Sequence, residues 1–550
     1  MRFKKLILPL IATLCSTSNY AGQTTPDFWK NATVYFMLTD RFNNSDPTND
    51  ISYNRTEKPA TLRGFKGGDI KGITEKISEG YFDRLGVDAI WMTPVVEQVH
   101  GYDESAGLTY SYHGYWPKDW TAVDANFGSE AELEEMIATA HKHNIKVLMD
   151  VIINHTGPKT QADWAWPSEW IRTQPICNWQ NYQQNTQCAL ATSLTDIKTE
   201  NEEDVELPPE LLAKWQREGR LERELAELDA FFTRTGYPRA PKYYLVKWLT
   251  DWVRDYGVDG FRVDTAKHVE PEIWAVLKKE SEFAFQSWKQ NNPKQVRDDL
   301  PFYMVGEVFN WGLKGFKNTA KGGRAYDYGD KQVDFFDYGF DALINMGFVA
   351  HAQLSPEQIF SDYSKSLNGG ELTGKGILNY IGSHDDQDSY DRKREKPFET
   401  AFKLMLAPGG VQIYYGDELA RPMYADQSAY GDAHMRTFMN WQDLQQSQTR
   451  ELLAHWQKLG TFRKAHDAVG SGKHQQLNSS PYIFMRELGD TDKVLVAKDL
   501  PIGKKSISVY QQFKDGEKLF DYYSGQHLVV KNGQVSLNSD FSYLLLAKAK

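Results

Sequence analysis

Short, wholly apolar runs alternate along this chain with stretches whose apolar residues recur every three or four positions. Runs of roughly four to eight apolar residues suit strands covered on both faces, the habit of parallel sheets, and the other pattern is that of amphipathic helices. Helical patterns lie at 130 to 144 (EAELEEMIATAHKHN) and 240 to 257 (APKYYLVKWLTDWVRDYG). Strands are predicted within 31 to 42, 87 to 96, 145 to 155, 257 to 269, 302 to 310, 331 to 340, 376 to 386 and 410 to 418. Such β/α alternation predicts a closed (β/α)8 TIM barrel, whose active site lies in the loops at the carboxyl ends of the strands.

Polar residues gather where four of these runs stop. Asp150, Asn154 and His155 end IKVLMDVIINH, Glu307 follows FYMVG, and His384 and Asp385 follow GILNYIGS. GVDGFRVDTAKHV, 257 to 269, carries Arg262 and Asp264, with Lys267 and His268 just beyond. A buried arginine beside an aspartate is costly unless each is paired, so this segment is either a structural ion pair or part of a site. Barrel closure would bring all four strand ends together.

These four segments, in this order and separation, resemble the sequence signatures of the α-amylase family, glycoside hydrolase family thirteen, over nearly the whole chain. NATVYFMLTDRF, WVRDYGVDGFRVDTAKHVE and NWQD are most similar to phrases in the periplasmic α-amylases of Gram-negative bacteria. The resemblance implies a TIM barrel with a domain B inserted after the third strand. Residues 156 to 235, where the barrel periodicity fails, are read as that insert, since a structureless loop of such length is improbable. The barrel then occupies 22–155 and 236–468. Short alternating segments such as PYIFMREL and FSYLLLAKA predict a C-terminal antiparallel β-sandwich at 469–550.

Composition narrows the partners. A net charge of -11 and the lack of a basic tract argue against nucleic acid and anionic membranes, and suit a neutral glucan. Residues 1–21 read as an export signal: Arg2, Lys4 and Lys5 precede the apolar run Leu6 to Leu14, with Ser16, Ser18 and Ala21 after it. That run is too short for a permanent membrane anchor. Export leaves Cys177 and Cys188, which in an oxidising compartment are expected to form a disulfide.

The resemblance implies roles. Asp264 matches the nucleophile, Glu307 the general acid/base and Asp385 the third acid of a retaining glycosidase, in which two carboxyls flank the scissile bond. Arg262, on the same strand face as Asp264, would keep it ionised. His155 and His384 would hydrogen-bond the sugar, Tyr115 in YHGYW would stack on it, and Lys267 would also contact substrate. Asn154, Asp196 and the His268 carbonyl match a calcium site between barrel and domain B. A second calcium is implied by Asn44, Asp46, Asn49, Asp50, the Gly67 carbonyl and Asp69, which match in spacing the N-terminal loop of cyclodextrin glycosyltransferases.

The function implied is endo-hydrolysis of α-1,4-glucosidic bonds in starch, glycogen and maltodextrins by an exported enzyme. The alternatives are a cyclomaltodextrinase-like or transglycosylating enzyme on short or cyclic dextrins, and a non-catalytic glucan-binding protein. Thr192 stands where cyclising transferases place an aromatic ring, so cyclisation is not expected. Ser383 precedes the His384–Asp385 pair where chloride-activated members carry asparagine.

Overall fold

In a computed structural model, residues 20, 22–105, 107–423 and 431–549 are described. The export signal read at 1–21 lies outside them, apart from Tyr20.

Eight parallel strands close into a barrel: β1 (Thr33–Met37), β2 (Ala89–Met92), β3 (Lys146–Val151), β4 (Gly260–Val263), β5 (Tyr303–Gly306), β6 (Ala342–Asn345), β7 (Gly376–Asn379) and β8 (Gly410–Tyr414). Each pairs with its neighbours in sequence, and β8 returns to β1. The register sets Asp150 of β3 directly opposite Arg262 of β4. Alternation along β4 turns Phe261 outward against Phe302, which meets Phe285 of the helix Glu272–Asn291. Arg262 therefore points into the barrel.

Local signals frame the helices. Ser129 and Glu132 form a reciprocal capping box at the start of Glu130–Lys142. Pro241 opens the helix Pro241–Tyr256, and Gly257, in the left-handed conformation at φ 76°, closes it and turns the chain into β4.

The sixth strand lies elsewhere than the sequence suggested. The aromatic run at 331 to 340 has strong β propensity, but only Gln332–Val333 is extended, paired antiparallel with Tyr326–Asp327. Asp334 then accepts a hydrogen bond from Phe336 N and caps a single 3-10 turn, Phe335–Tyr338. The barrel strand is the less conspicuous ALIN that follows, every residue of it buried.

Between β3 and the helix Pro241–Tyr256 the chain first makes a small antiparallel sheet, with Thr195–Ile197 between His155–Thr156 and Ile171–Arg172. Cys177 and Cys188 are joined in a disulfide. Two helices follow, Pro209–Arg217 and Leu221–Thr235, and these pack on the helix Pro241–Tyr256 and the segment before it. Trp215 meets Trp248, Phe232 meets Tyr244, and Lys214 reaches Asp119 at 2.7 Å.

The C-terminal segment is a six-stranded antiparallel sheet facing a two-stranded one. Alternation along Asp492–Lys498 divides its side chains. Leu495 and Ala497 pack between the sheets with Ile507, Val535 and Leu537, whereas Val494 and Val496 join the barrel's core. Among the described residues no helix is long and apolar enough to cross a membrane.

Candidate active site

The carboxyl ends of the strands open into a cavity of about 480 Å3. Asp264, Glu307, Asp385, Tyr115, His155 and His268 all line it.

Arg262 organises the floor. Its Nη1 lies 2.9 Å from Asp150 Oδ1 and 2.7 Å from Asp264 Oδ1, and its Nη2 lies 3.0 Å from Glu307 Oε2. Three buried carboxyls thus share one guanidinium, and one cation cannot neutralise all three. Asp150 is further held by the Trp91 indole at 2.9 Å and the Tyr115 hydroxyl at 2.8 Å. The backbone N–H of Thr265 donates to Glu307 Oε2 at 2.9 Å.

Burial and mutual repulsion raise these carboxyls unequally. Burial, with the Asp264 and Asp385 charges, pushes Glu307 up to about 7 against the pull of Arg262 and the Thr265 N–H. Burial raises Asp264 to about 6, with Arg262 opposing and Asp150 adding. Asp150 also rises to about 6 through burial, opposed by Arg262. Near neutral pH the retained proton therefore resides chiefly on Glu307, while Asp264 is mostly ionised.

Asp385 is held differently. Burial works against its charge, but His384 Nε2 at 2.8 Å and Arg436 Nη2 at 2.6 Å outweigh that and keep its carboxyl well below the usual range. Its side chain is 40% exposed to the cavity. The Tyr115 ring stacks on His384, with centroids 5.0 Å apart. His155 Nε2 sits 3.1 Å from the Tyr115 carbonyl, and burial lowers its pKa to about 4, so the ring is neutral. Lys267 Nζ donates to Tyr326 Oη at 2.9 Å and lies near the Trp179 and Phe309 rings at the cavity wall. Burial lowers its ammonium to about 8.

Several cavity residues were missed from the sequence. Arg436 also pairs with Asp432 at 2.6 Å and donates to the His384 carbonyl at 3.1 Å. It follows the 3-10 turn Gly431–Met435, away from any strand, so no apolar run pointed to it. Trp179 and Phe309 are half exposed at the wall, and an exposed ring beside a cavity is detectable only once the cavity is known. The insert contributes Leu190, Ser193 and Leu194 to the lining, whereas Thr192 between them is exposed.

Each of the two regions expected to hold calcium keeps one buried side-chain oxygen without a hydrogen-bond partner, Asn49 Oδ1 and Asp196 Oδ2. Among the described residues no group of three or more His, Cys, Asp or Glu is arranged as a metal site. A hard cation would therefore draw on amide and backbone oxygens as well. The N-terminal loop offers such oxygens, although Asn44 Nδ2 donates to Asp50 Oδ1 at 2.8 Å. Asn49 Oδ1 is buried without a hydrogen-bond partner. A Cβ on Gly67, at φ 91°, would fall 2.2 Å from Asp50 Oδ1 and 2.3 Å from Asn44 Nδ2, so glycine keeps this oxygen-rich concavity open. Asp46 stands at its edge, accepting from Thr48 N at 3.0 Å. Asp69, expected as a ligand, spends both oxygens on backbone N–H groups: Oδ1 caps the helix Ile70–Ser78, and Oδ2 accepts from Ser45 and Asp46 at 3.0 and 2.8 Å.

The Asn154, Asp196 and His268 cluster brings its expected ligands together around the buried Asp196 carboxyl. Asn154 Nδ2 donates to the His268 carbonyl at 3.0 Å and to Asp196 Oδ1 at 3.2 Å. Asp196 Oδ2 faces the Arg172 guanidinium, with Nε at 2.7 Å. The expected oxygens do meet: the Asn154 amide takes Asp196 Oδ1 and the His268 carbonyl, whereas Oδ2 is buried without a hydrogen-bond partner, and burial raises Asp196 to about 9 against the pull of Arg172.

Comparison with known proteins bears on this geometry. The family model described as alpha amylase, catalytic domain, matches residues 36–447. The periplasmic alpha-amylase of Escherichia coli (strain K12) is 36% identical over 531 residues, covering 86% of this chain and 72% of that protein. A cyclomaltodextrin glucanotransferase of Thermoanaerobacterium thermosulfurigenes is 26% identical, covering 88% of this chain and 62% of that one. Among solved structures, an Anoxybacillus alpha-amylase superposes with a TM-score of 0.62 at 23% identity, covering 95% of this chain and 99% of that one, a likeness of fold. With the family model matched over residues 36–447 of the chain and a strand-end carboxyl site in the barrel mouth, this chain belongs to the alpha-amylase family of glycoside hydrolases.

Proposed function

We propose that the protein cleaves α-1,4-glucosidic bonds within starch, glycogen and maltodextrins with retention of configuration. The observation that carries this is the sharing of Arg262 by Asp264 and Glu307. Two carboxyls gripping separate nitrogens of one guanidinium are kept close, as a retaining mechanism requires (roughly 5 Å). Asp264, mostly ionised, attacks the anomeric carbon while Glu307 protonates the departing glycosidic oxygen. The resulting glycosyl ester on Asp264 is hydrolysed by a water that Glu307, now a carboxylate, deprotonates. Asp385, fixed in anionic form by His384 and Arg436, binds sugar hydroxyls and stabilises positive charge developing on the ring. Tyr115 and His155 line the cavity and would flank the sugar, while the buried His384 backs Asp385 and the buried Lys267 stands behind the Trp179 and Phe309 wall.

The time course of products from soluble starch, cyclodextrin and pullulan tests this reading. Mixed maltooligosaccharides should accumulate early from starch. Net cyclodextrin formation, or a faster rate on cyclodextrin or pullulan than on starch, would instead favour the transglycosylating or cyclomaltodextrinase-like alternative.

The unequal pKa values predict a narrow bell-shaped pH profile. Activity needs Asp264 ionised and Glu307 protonated, so kcat/KM should rise as pH passes about 6 and fall above about 7. A rate flat from pH 5 to 9 at saturating enzyme stability would contradict the assignment of both groups.

We place one calcium in the N-terminal loop, held by Asn44, Asp46, Asn49, Asp50 and the Gly67 carbonyl. There it would tie the segment after β1 to the turn before the helix Ile70–Ser78 and supply stability rather than chemistry. A strong chelator should lower Tm by a few degrees, and Asp46→Ala should lower it similarly and abolish the chelator's effect. An unchanged melt in both experiments would remove this site. The remaining proposals are the export signal at 1–21, a periplasmic location, and the division into a barrel (22–155 and 236–468), an insert (156–235) and a C-terminal domain (469–550). The Cys177–Cys188 disulfide is consistent with export.

A further inference from the structure

On the reading that the enzyme cleaves glucans at Asp264 and Glu307, we propose that the Cys177–Cys188 disulfide, with Tyr182 inside the loop it closes, positions the Trp179 ring against the part of the glucan that leaves. Trp179 stands two residues after Cys177, lines the cavity and is 50% exposed. Its backbone is left-handed, at φ 65°, a conformation disfavoured for a bulky residue and kept only where the surroundings impose it. Those surroundings hold the loop at two places. At its base the sulfur bridge is flanked by backbone hydrogen bonds, from Cys177 N to the Ala189 carbonyl at 3.0 Å and from Ala189 N to the Pro175 carbonyl at 2.9 Å. Farther along, Tyr182 N donates to Asp330 Oδ1 at 2.8 Å, and the Tyr182 ring meets Tyr328 edge-on with centroids 5.1 Å apart. His268 Nδ1 donates to the Asn185 carbonyl at 2.9 Å, which ties the same loop to the end of β4.

The place of the ring says which sugar it meets. Trp179 stands edge-on to His268 at 5.2 Å, and Lys267 Nζ lies 5.6 Å from the Trp179 ring and 5.6 Å from that of Phe309. Phe309 follows Glu307 by two residues, and the Glu307 charge acts on Lys267. This wall therefore lies on the side from which Glu307 protonates the leaving oxygen, whereas Asp385 and its partner Arg436 face the sugar that stays. A ring gains contact with a sugar's face when its angle is set in advance, because ordering a loose loop on binding subtracts from affinity. A loop closed by a covalent bridge and pinned through Tyr182 sets that angle before substrate arrives. Cys177 and Cys188 are both buried and neither lines the cavity, so they reach the substrate only through the ring.

Kinetics of the full-length enzyme on maltoheptaose and on maltosyl fluoride, whose leaving group carries no sugar, test this through a double-mutant cycle between Trp179→Ala and the joint change Cys177→Ser with Cys188→Ser. The joint serine variant should raise KM for maltoheptaose roughly 3- to 10-fold, the order of one aromatic contact, with kcat within about twofold of the parent. Its kcat/KM on maltosyl fluoride should equal the parent's. Trp179→Ala should show the same split, and adding the serine changes to it should have no further effect on KM. A serine variant that loses kcat/KM equally on both substrates would overturn the proposal, since that is what a general structural role does. Additive effects in the cycle, or a parental KM for maltoheptaose, would overturn it as well. If the serine variant does not fold, Tyr182→Ala takes its place: it should raise KM for maltoheptaose in the parent and leave it unchanged in Trp179→Ala, and an equal rise in both backgrounds would overturn the proposal. A parent inactive on both substrates would remove the glucan-hydrolase reading and this role with it, whereas the other adverse outcomes remove the positioning role alone.

Discussion

Glu307→Gln is expected to reduce hydrolysis of starch by roughly 10^3-fold or more while leaving the fold and oligosaccharide binding nearly intact. Near neutral pH Glu307 carries the proton that three buried carboxyls share, since burial and the Asp264 and Asp385 charges raise it to about 7. The amide of glutamine copies that neutral form in size and shape. It can still accept the Thr265 N–H, which lies 2.9 Å from Oε2. What it cannot do is deliver a proton to the leaving oxygen or take one from water. A maltosyl fluoride, whose leaving group needs little protonation, should recover the first step and allow a glycosyl ester on Asp264 to accumulate, visible as an added sugar mass on the intact protein. Residual starch hydrolysis above a few per cent in a clean preparation would sink the assignment, and so would labelling at any carboxylate other than Asp264.

How far the chain discloses this site depends on where each residue sits. Asp264, Glu307 and the His384–Asp385 pair follow short apolar runs that suit strands buried on both faces, and barrel closure then brings such ends together. Asp150 and Arg262 are legible for the same reason, and the parallel register makes them neighbours. Arg436 and Arg172 carry no such mark. The first follows a 3-10 turn, and the second belongs to a two-residue strand too short to produce any periodicity. Each becomes meaningful only through a carboxylate it meets in space. The sixth strand was obscured for another reason: the aromatic run at 331 to 340 outweighs ALIN in propensity, yet Asp334 diverts its backbone into a capped turn. Local hydrogen bonding by an aspartate overrode β propensity there. The charged helical stretch within 156 to 235 could be read as helix, but its docking on Trp248 and Tyr244 depends on rings far along the chain.

The same logic of shared charge predicts that Arg262→Leu is the most damaging single change in the barrel floor. Arg262 is 1% exposed and contacts Asp150, Asp264 and Glu307 together. Leucine leaves those carboxyls in an apolar enclosure without a cation, and breaking a buried pair in this way typically costs about 3–5 kcal/mol of stability. The carboxyls can escape part of that cost by taking up protons. Asp264, already raised to about 6 with Arg262 opposing the rise, would then be protonated at neutral pH and lose its nucleophilicity. Activity should therefore fall by roughly 10^3-fold or more, as for loss of a catalytic group, on a protein that also unfolds at lower denaturant concentration. Arg262→Lys separates the two effects. An ammonium restores one positive charge and much of the stability, but a single nitrogen cannot bridge Asp264 and Glu307 as Nη1 and Nη2 do. Its pH profile should show the rising limb displaced above about 6, with a lowered plateau. A lysine variant whose plateau falls while the rising limb stays in place would mean that Arg262 positions the carboxyls without setting their charge. One with parental kinetics would remove the shared guanidinium from the mechanism altogether.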